Sequence, residues 1–272
     1  MINKFLLKIA KKIFNKYSFQ NDQMIVCYND NIGTDILFYG YYEKSLLDSI
    51  IKKFPKELSN TTFLDVGANI GNHSIYFINF FKNIICFEPQ IKTFKVLQLN
   101  INDLPNVKAY NHGLNSKRIK VDFNIPYKNS GMGNKKNKNI KNYKEKVELK
   151  PFPENEKDTV GYIKIDVEGD ELKVLESLKN KISLDLPIIS FEINDNNKNR
   201  NKLISYFTQL GYDTFYISLW SKYQKNILFR MYYSICGDQL IKVSKDILIN
   251  ESYNFTLVTT FNPSSNYKLI ES

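Results

Sequence analysis

Two carboxylates near the middle of the chain stand beside residues that favour tight turns. Asp65 lies near the end of a short apolar run and is followed by Gly67 and Gly71; Glu88 closes the next apolar run, 21 residues after Gly67. Glycines let the backbone approach a ligand, and an acid that ends a second strand can accept hydrogen bonds from both ribose hydroxyls. Dinucleotide sites use G-x-G-x-x-G, and one of those glycines is missing here. The pattern therefore favours a smaller, cationic nucleoside cofactor.

Further acids follow later strands of the chain. Asp166 comes after the apolar run 161–165, and Glu192 closes the run 187–191. Open α/β sheets bind ligands at the carboxyl ends of their strands, so both acids would face a bound molecule. A hydroxyl acceptor is a poor nucleophile until a base removes its proton. The candidate bases are Asp166, Glu168, Glu192, His73 and His112, of which the position of Asp166 is the most favourable.

Structural roles compete with these chemical ones. Asp166 could accept hydrogen bonds only from its own turn, and His73 could be a surface or capping residue. Alternatively Asp166, together with Glu192 or Asp195, could hold Mg²⁺, because hard cations prefer several carboxylate oxygens. The spacing of these acids is not a tight ligand pattern, so Mg²⁺ is not favoured and no metal is predicted.

Strands and helices alternate along the chain in the order that would bring these residues to one sheet edge. The pattern predicts an α/β fold, with a mostly parallel seven-stranded sheet covered by helices on both faces and a C-terminal antiparallel hairpin. Residues 1–60 are predicted to form an amphipathic helix, a hairpin of Met24–Tyr28 with Asp35–Tyr39, and a helix, all packed on the core. Residues 61–272 would form the cofactor-binding domain, with a basic insertion at residues 115–150.

Three motifs in this order resemble those of the FkbM family of S-adenosylmethionine-dependent methyltransferases. They are Asp65-Val-Gly-Ala-Asn-Ile-Gly71, Phe87-Glu-Pro89 and Ile163-Lys-Ile-Asp-Val-Glu-Gly-Asp-Glu171, and Tyr42-Glu43 also fits. The resemblance covers roughly residues 41–193. It implies a class I methyltransferase-like (Rossmann-like) fold, S-adenosylmethionine as cofactor, and O-methylation, often of sugars in surface polysaccharides or of natural products.

The same motifs suggest a role for each site residue. The loop of Gly67, Asn69 and Gly71 would lie beside the methionine part of the cofactor, and Asp65 would hold that loop or the cofactor's amino group. Glu88 would take the ribose. The residues predicted to bind cofactor are Asp65, Gly67, Asn69, Gly71, Glu88, Pro89, Asn111 and Asp166, and the predicted catalytic residues are Asp166 and His73.

Charge and cysteine content bound the partners and the compartment. The net charge of +10 is concentrated in residues 1–20, with five lysines and no acid, and in residues 115–150, with eleven basic and three acidic residues. Because the body is not basic, no nucleic-acid partner is expected. Three widely spaced cysteines indicate neither a disulfide framework nor a metal knuckle, which favours the reducing cytoplasm. Residues 1–20 would either pack on the domain or attach reversibly to an anionic inner-membrane surface.

We therefore predict a cytoplasmic methyltransferase that uses S-adenosylmethionine to methylate a sugar hydroxyl, on a sugar nucleotide or a surface glycan precursor. The alternatives are a methyltransferase of a lipid or small natural product, and a nucleotide-binding module that has lost catalysis. The polar stretch Asn129–Lys138 is interpreted either as a surface loop or as a lid that touches substrate through Ser130–Asn134. The sequence predicts neither the acceptor hydroxyl nor the oligomeric state.

Overall fold

The computed structural model describes residues 24–26, 31–126, 142–167, 169–193, 200–219, 236–250 and 256–262. The predicted helix at residues 1–20, the lid residues Ser130–Asn134, and the acids Glu168 and Asp195 lie outside these ranges. In chain order the described helices and strands are α1 (Asn31–Tyr39), α2 (Lys44–Ile51), β1 (Thr62–Val66), α3 (Asn72–Tyr76), β2 (Asn83–Phe87), α4 (Ile91–Ile101), β3 (Val107–Tyr110), β4 (Gly113–Leu114), β5 (Ile119–Pro126), β6 (Asn142–Lys150), β7 (Val160–Ile165), α5 (Glu171–Asp185), β8 (Ile188–Ile193), α6 (Arg200–Gln209), β9 (Thr214–Ser218), β10 (Leu240–Val243), α7 (Lys245–Asn250) and β11 (Thr256–Phe261). A 3₁₀ turn at Lys56–Asn60 precedes β1.

The main sheet has the strand order β10-β9-β11-β8-β7-β1-β2-β3. The five strands from β8 to β3 are parallel, and β11 pairs antiparallel with both β8 and β9. The predicted α/β class, the mostly parallel sheet and the C-terminal antiparallel hairpin are therefore confirmed. The predicted count of seven strands is wrong, because the parallel block holds five strands and the whole described sheet holds eight. The extra edge strand is β10, a four-residue run too short to show a strand period in the sequence.

Helices cover both faces of this sheet. Alternate residues of β1 face opposite layers, and every residue of the strand is buried. Leu64 belongs to the layer packed by α5 and α6. Phe63 belongs to the other layer, which contains Leu47 of α2 and a stacked Tyr162 ring 4.9 Å away. A sheet buried on both faces leaves its strand ends as the accessible edge.

The N-terminal hairpin prediction is wrong. Residues 24–26 have no regular structure, and Asp35–Tyr39 lie in α1. Gly33, Ile36 and Gly40 are buried while Thr34 is exposed, and that spacing of three to four residues is helical. The helix predicted after this segment is confirmed as α2, whose buried residues Leu46, Leu47 and Ile50 pack on the core.

The basic insertion, together with β4 just before it, forms a separate three-stranded sheet in the order β4-β6-β5. Strands β5 and β6 pair antiparallel from Ile119 opposite Leu149 to Pro126 opposite Asn142. Glu145 of β6 accepts a hydrogen bond of 2.7 Å from the backbone N–H of Ile91 at the start of α4. The insertion is thereby joined to the edge of the main domain. Among the described helices, none has the length and apolar character needed to cross a bilayer.

Candidate functional site

The loop between β1 and α3 has the backbone that its glycines predict. Gly67 and Gly71 have φ angles of +80° and +92°, and Asn69 adopts a left-handed φ of +52°. A Cβ on Gly67 would lie 2.0 Å from the carbonyl oxygen of Asp166, so a side chain is excluded there by fixed backbone. The loop is therefore pressed against the end of β7.

Glu88 closes the other side of this loop. Its Oε2 accepts a hydrogen bond of 3.0 Å from the N–H of Asn69, and its Oε1 accepts one of 2.9 Å from the N–H of Gln90. Burial raises the pKa of Glu88 to about 7, although the two N–H groups oppose that rise. A carboxylate offers about four acceptor positions, so two remain for hydroxyl donors. The acid predicted to take a ribose thus touches the predicted cofactor loop directly.

Asp65 and Ser74 join the two elements that flank the loop, β1 and α3. Asp65 is fully buried, and its Oδ2 accepts a hydrogen bond of 2.6 Å from the hydroxyl of Ser74 in α3. Its Oδ1 lies 3.5 Å from the Nζ of Lys164. Because both oxygens face protein groups, Asp65 fixes α3 and the loop on β1.

Asn111 and Pro89 lie where β2 and β3 end. The Asn111 amide donates hydrogen bonds of 2.9 and 3.2 Å to the carbonyls of Glu88 and Pro89. Its side chain therefore braces the strand end that carries Glu88. His112, the other candidate base in this region, is buried against Phe87 and Tyr110, and its Nδ1 lies 3.0 Å from the carbonyl of Gly113. Burial lowers its pKa, and the structure does not bring it to the cavity described next.

A cavity lined by several ionisable side chains lies beside the glycine loop, at the carboxyl ends of β7 and β8. Its lining comprises the ionisable residues Glu43, His73, Lys164, Asp166 and Glu192, together with Leu47, Ile50, Tyr162 and Ser190. Burial, followed by the charges of Asp166 and Glu43, raises the pKa of Glu192 well above its ordinary value. Three acids therefore converge on one space, and the protonated form of Glu192 is favoured there.

His73 enters this cavity from α3 and faces Glu43. Its Nε2 lies 3.5 Å from Glu43 Oε2 and forms no hydrogen bond with the part of the protein that the structure describes. Glu43 has a left-handed φ of +56°, which is strained for a residue with a side chain. Asn72 holds this conformation by exchanging hydrogen bonds of 2.9 and 3.0 Å with the N–H and carbonyl of Tyr42. The two predicted catalytic residues, Asp166 and His73, thus line the same cavity.

Sequence reasoning missed Lys164 and the meeting of Glu43 with Glu192. A lysine inside a buried apolar strand is a detectable signal, because such a charge must be paired. The approach of Glu43 to Glu192 depends on the packing of α2 over the sheet and leaves no local pattern. Within the described ranges, no group of three or more His, Cys, Asp or Glu residues is arranged to hold a metal ion.

Comparisons with known proteins agree with the motifs. Residues 65–214, more than half of the chain, match the family described as the methyltransferase FkbM domain. No curated protein sequence matches significantly. Similar solved structures include methyltransferase FkbM from Methylobacillus flagellatus KT, at 16% identity and a TM-score of 0.44, where the match covers 75% of this chain and 54% of that one. This chain thus spans about half the length of that protein.

Two further solved structures illustrate the same likeness. A precorrin-6y C5,15-methyltransferase from Geobacter metallireducens GS-15 is 9% identical with a TM-score of 0.46, covering 90% of this chain and 96% of that one. An rRNA methylase from Streptococcus thermophilus is 11% identical with a TM-score of 0.42, covering 80% and 93%. The family assignment rests on the match over residues 65–214.

Proposed function

The chain belongs to the FkbM methyltransferase family, and we propose that it transfers the methyl group of S-adenosylmethionine to a hydroxyl of a sugar. The observation that carries this proposal is the acid-lined cavity directly beside the glycine loop. Carboxylates accept hydrogen bonds from hydroxyl groups, so the acids around this space can receive the hydroxyl of an acceptor.

The cofactor side of the site is consistent with an adenosine-containing molecule. Gly67 and Gly71 supply the positive φ angles of the loop, and Glu88 retains acceptor capacity for two ribose hydroxyls. The cofactor, when bound, supplies an electrophilic methyl group on a sulfonium. The chain's own residues then have to orient the acceptor and remove its proton.

Two residues of the cavity could take that proton. Asp166 stands at the end of β7, against the loop, and His73 has a ring nitrogen without a hydrogen-bond partner among the described residues. Either group can act as a general base, and a positioned base contributes about 10²–10⁴-fold to the rate. Glu43 lies close enough to His73 to stabilise an imidazolium formed by proton transfer.

The proposed acceptor is a sugar nucleotide or a surface glycan precursor, and its phosphates would stay outside the cavity. Glu43, Asp166 and Glu192 line this space together with Lys164, so an anionic group would meet more negative than positive charge. The expectations of a cytoplasmic location, of contact between residues 1–20 and a membrane, and of no nucleic-acid partner remain predictions.

Isothermal titration with S-adenosylhomocysteine tests the proposal first, and no binding by the full chain would refute it. A labelled-methyl assay then compares sugar nucleotides with lipid and small-molecule acceptors. Transfer to a sugar hydroxyl supports the proposal, whereas transfer only to a lipid overturns the acceptor assignment. Binding without transfer to any acceptor class would favour an inactive nucleotide-binding module.

A further inference from the structure

Lys164 joins three segments of the site through one buried ammonium. Its side chain is 9% exposed, and its Nζ donates a hydrogen bond of 2.9 Å to the carbonyl oxygen of Gly67. The same nitrogen lies 3.2 Å from Asp166 Oδ2 and 3.5 Å from Asp65 Oδ1. It therefore contacts the glycine loop, the end of β7 and Asp65 of β1.

The ammonium stays charged in this position. Burial alone lowers the pKa of Lys164, but the neighbouring carboxylates of Asp166 and Asp65 outweigh burial and raise it. A buried cation costs several kcal/mol unless it is paired, so these contacts are required for the fold to tolerate it. A lysine that keeps its proton is unsuited to act as the general base.

One of the two main partners of Lys164 lies on the cofactor side of the site, and the other lies on the acceptor side. The carbonyl that Lys164 holds belongs to Gly67, in the loop assigned to the methionine end of the cofactor, and the nearest carboxylate belongs to Asp166, which lines the acceptor cavity. The N–H of Asp166 also donates to the carbonyl of Val66 at 3.0 Å, so the two strand ends are already adjacent. Methyl transfer needs donor and acceptor aligned closely, and small displacements reduce its rate sharply.

We propose that Lys164 is a positioning residue for methyl transfer, which fixes the cofactor loop at Gly67 and the acceptor-side carboxylate of Asp166 relative to each other. This inference rests on the proposed function. The competing explanation is that Lys164 only neutralises Asp65. In that case its removal would lower the free energy of unfolding and leave the ligand affinity of folded molecules unchanged.

The test compares Lys164→Met with Lys173→Met in the full chain. Lys173 also pairs with an aspartate, Asp170, at 2.8 Å, but it is 52% exposed on α5 and lies outside the cavity lining, so it is a matched control. Titration with S-adenosylhomocysteine is carried out where urea melts show each variant to be folded. Because Lys164→Met loses a charge-assisted hydrogen bond, its affinity for S-adenosylhomocysteine should fall by about tenfold or more. The affinity of Lys173→Met should stay within about twofold of wild type.

A double-variant cycle with Asp166→Asn tests the link between the two sides. Because Lys164 and Asp166 are in contact, their effects on the affinity for S-adenosylhomocysteine should be non-additive by at least about twofold. If Lys164→Met does not fold, Lys164→Gln carries both measurements, because its amide keeps a neutral donor. Additive effects, or binding within twofold of wild type in the folded variant, would overturn the inference. A wild-type chain that fails to bind would instead refute the proposed function.

Discussion

Replacing Gly67 by alanine tests whether the loop after β1 depends on backbone contact with the end of β7. The new Cβ would lie 2.0 Å from the carbonyl oxygen of Asp166 and 3.0 Å from its carbonyl carbon. Neither atom can move away easily, because the N–H of Asp166 is bonded to the carbonyl of Val66. The loop must therefore shift or the strand ends must separate.

The size of the effect follows from two separate costs. A left-handed backbone costs a residue with a side chain roughly 1–2 kcal/mol. Forcing an extra methyl group into a filled space adds about 1–3 kcal/mol. Gly169 provides the control, since its φ of +107° incurs the first cost while a Cβ there would meet no atom within 4 Å. Gly67→Ala should thus be less stable than Gly169→Ala by about 1–3 kcal/mol.

Urea unfolding of both variants and of wild type measures this difference, provided that the m-values agree. Titration with S-adenosylhomocysteine on folded protein then tests the site, where Gly67→Ala should weaken binding more than Gly169→Ala does. The reasoning fails if the two alanine variants are equally stable and bind alike. That result would mean that the loop can move away from Asp166 at no cost.

Three further outcomes follow from the site. The pKa of Glu88 is raised from 4.5 to about 7. Its favourable contribution to the free energy of unfolding, on the order of 3 kcal/mol, is therefore complete below pH 4.5 and is lost as the pH rises through 7. Urea melts from pH 4.5 to 8 should show this fall in wild type and not in Glu88→Gln. Because ribose hydroxyls bind the ionised form, affinity for S-adenosylhomocysteine should rise from pH 6 to 8 in wild type only, and equal pH profiles would contradict the assignment of Glu88. Asp166→Asn or His73→Gln, whichever removes the base, should lower the methyl-transfer rate about 10²–10⁴-fold in the labelled-methyl assay while S-adenosylhomocysteine still binds; full activity in both would exclude both as bases. Asn72→Ala removes two hydrogen bonds to Tyr42 and should lower the free energy of unfolding by about 1–3 kcal/mol in urea melts, and an unchanged midpoint would show that this clamp is dispensable.

The local motifs of the site could be predicted because each depends on a few consecutive residues. Gly67 and Gly71 mark positive φ angles within a single loop, and Glu88 is identified by its place at the end of an apolar run. The place of Asp166 and Glu192 at this edge could also be predicted, because both follow apolar runs, whereas Glu43 reaches the cavity only through the packing of α2. The position of Lys164 among Asp65 and Asp166 likewise depends on the register of β7 against β1.

The errors in the fold prediction also have physical causes. The run Asp35–Tyr39 is short and apolar, and such runs suit a strand or a buried helix equally until their packing is known. The edge strand β10 has only four residues, so no period of two emerges from it. The mostly parallel sheet was predicted correctly, because its apolar runs are separated by clear helical patterns.

The position of β11 has a consequence for how the protein is made. This strand follows every other described strand in the sequence, yet it lies between β8 and β9 and forms hydrogen bonds with both. A ribosome delivers β8 and β9 before β11 exists, so both strands lack this partner while residues 219–255 are translated. During that interval two strand edges are unpaired, which is the condition under which nascent chains aggregate or bind chaperones. Closure of the sheet is therefore a late event in biosynthesis, and truncation before Thr256 would leave a split sheet.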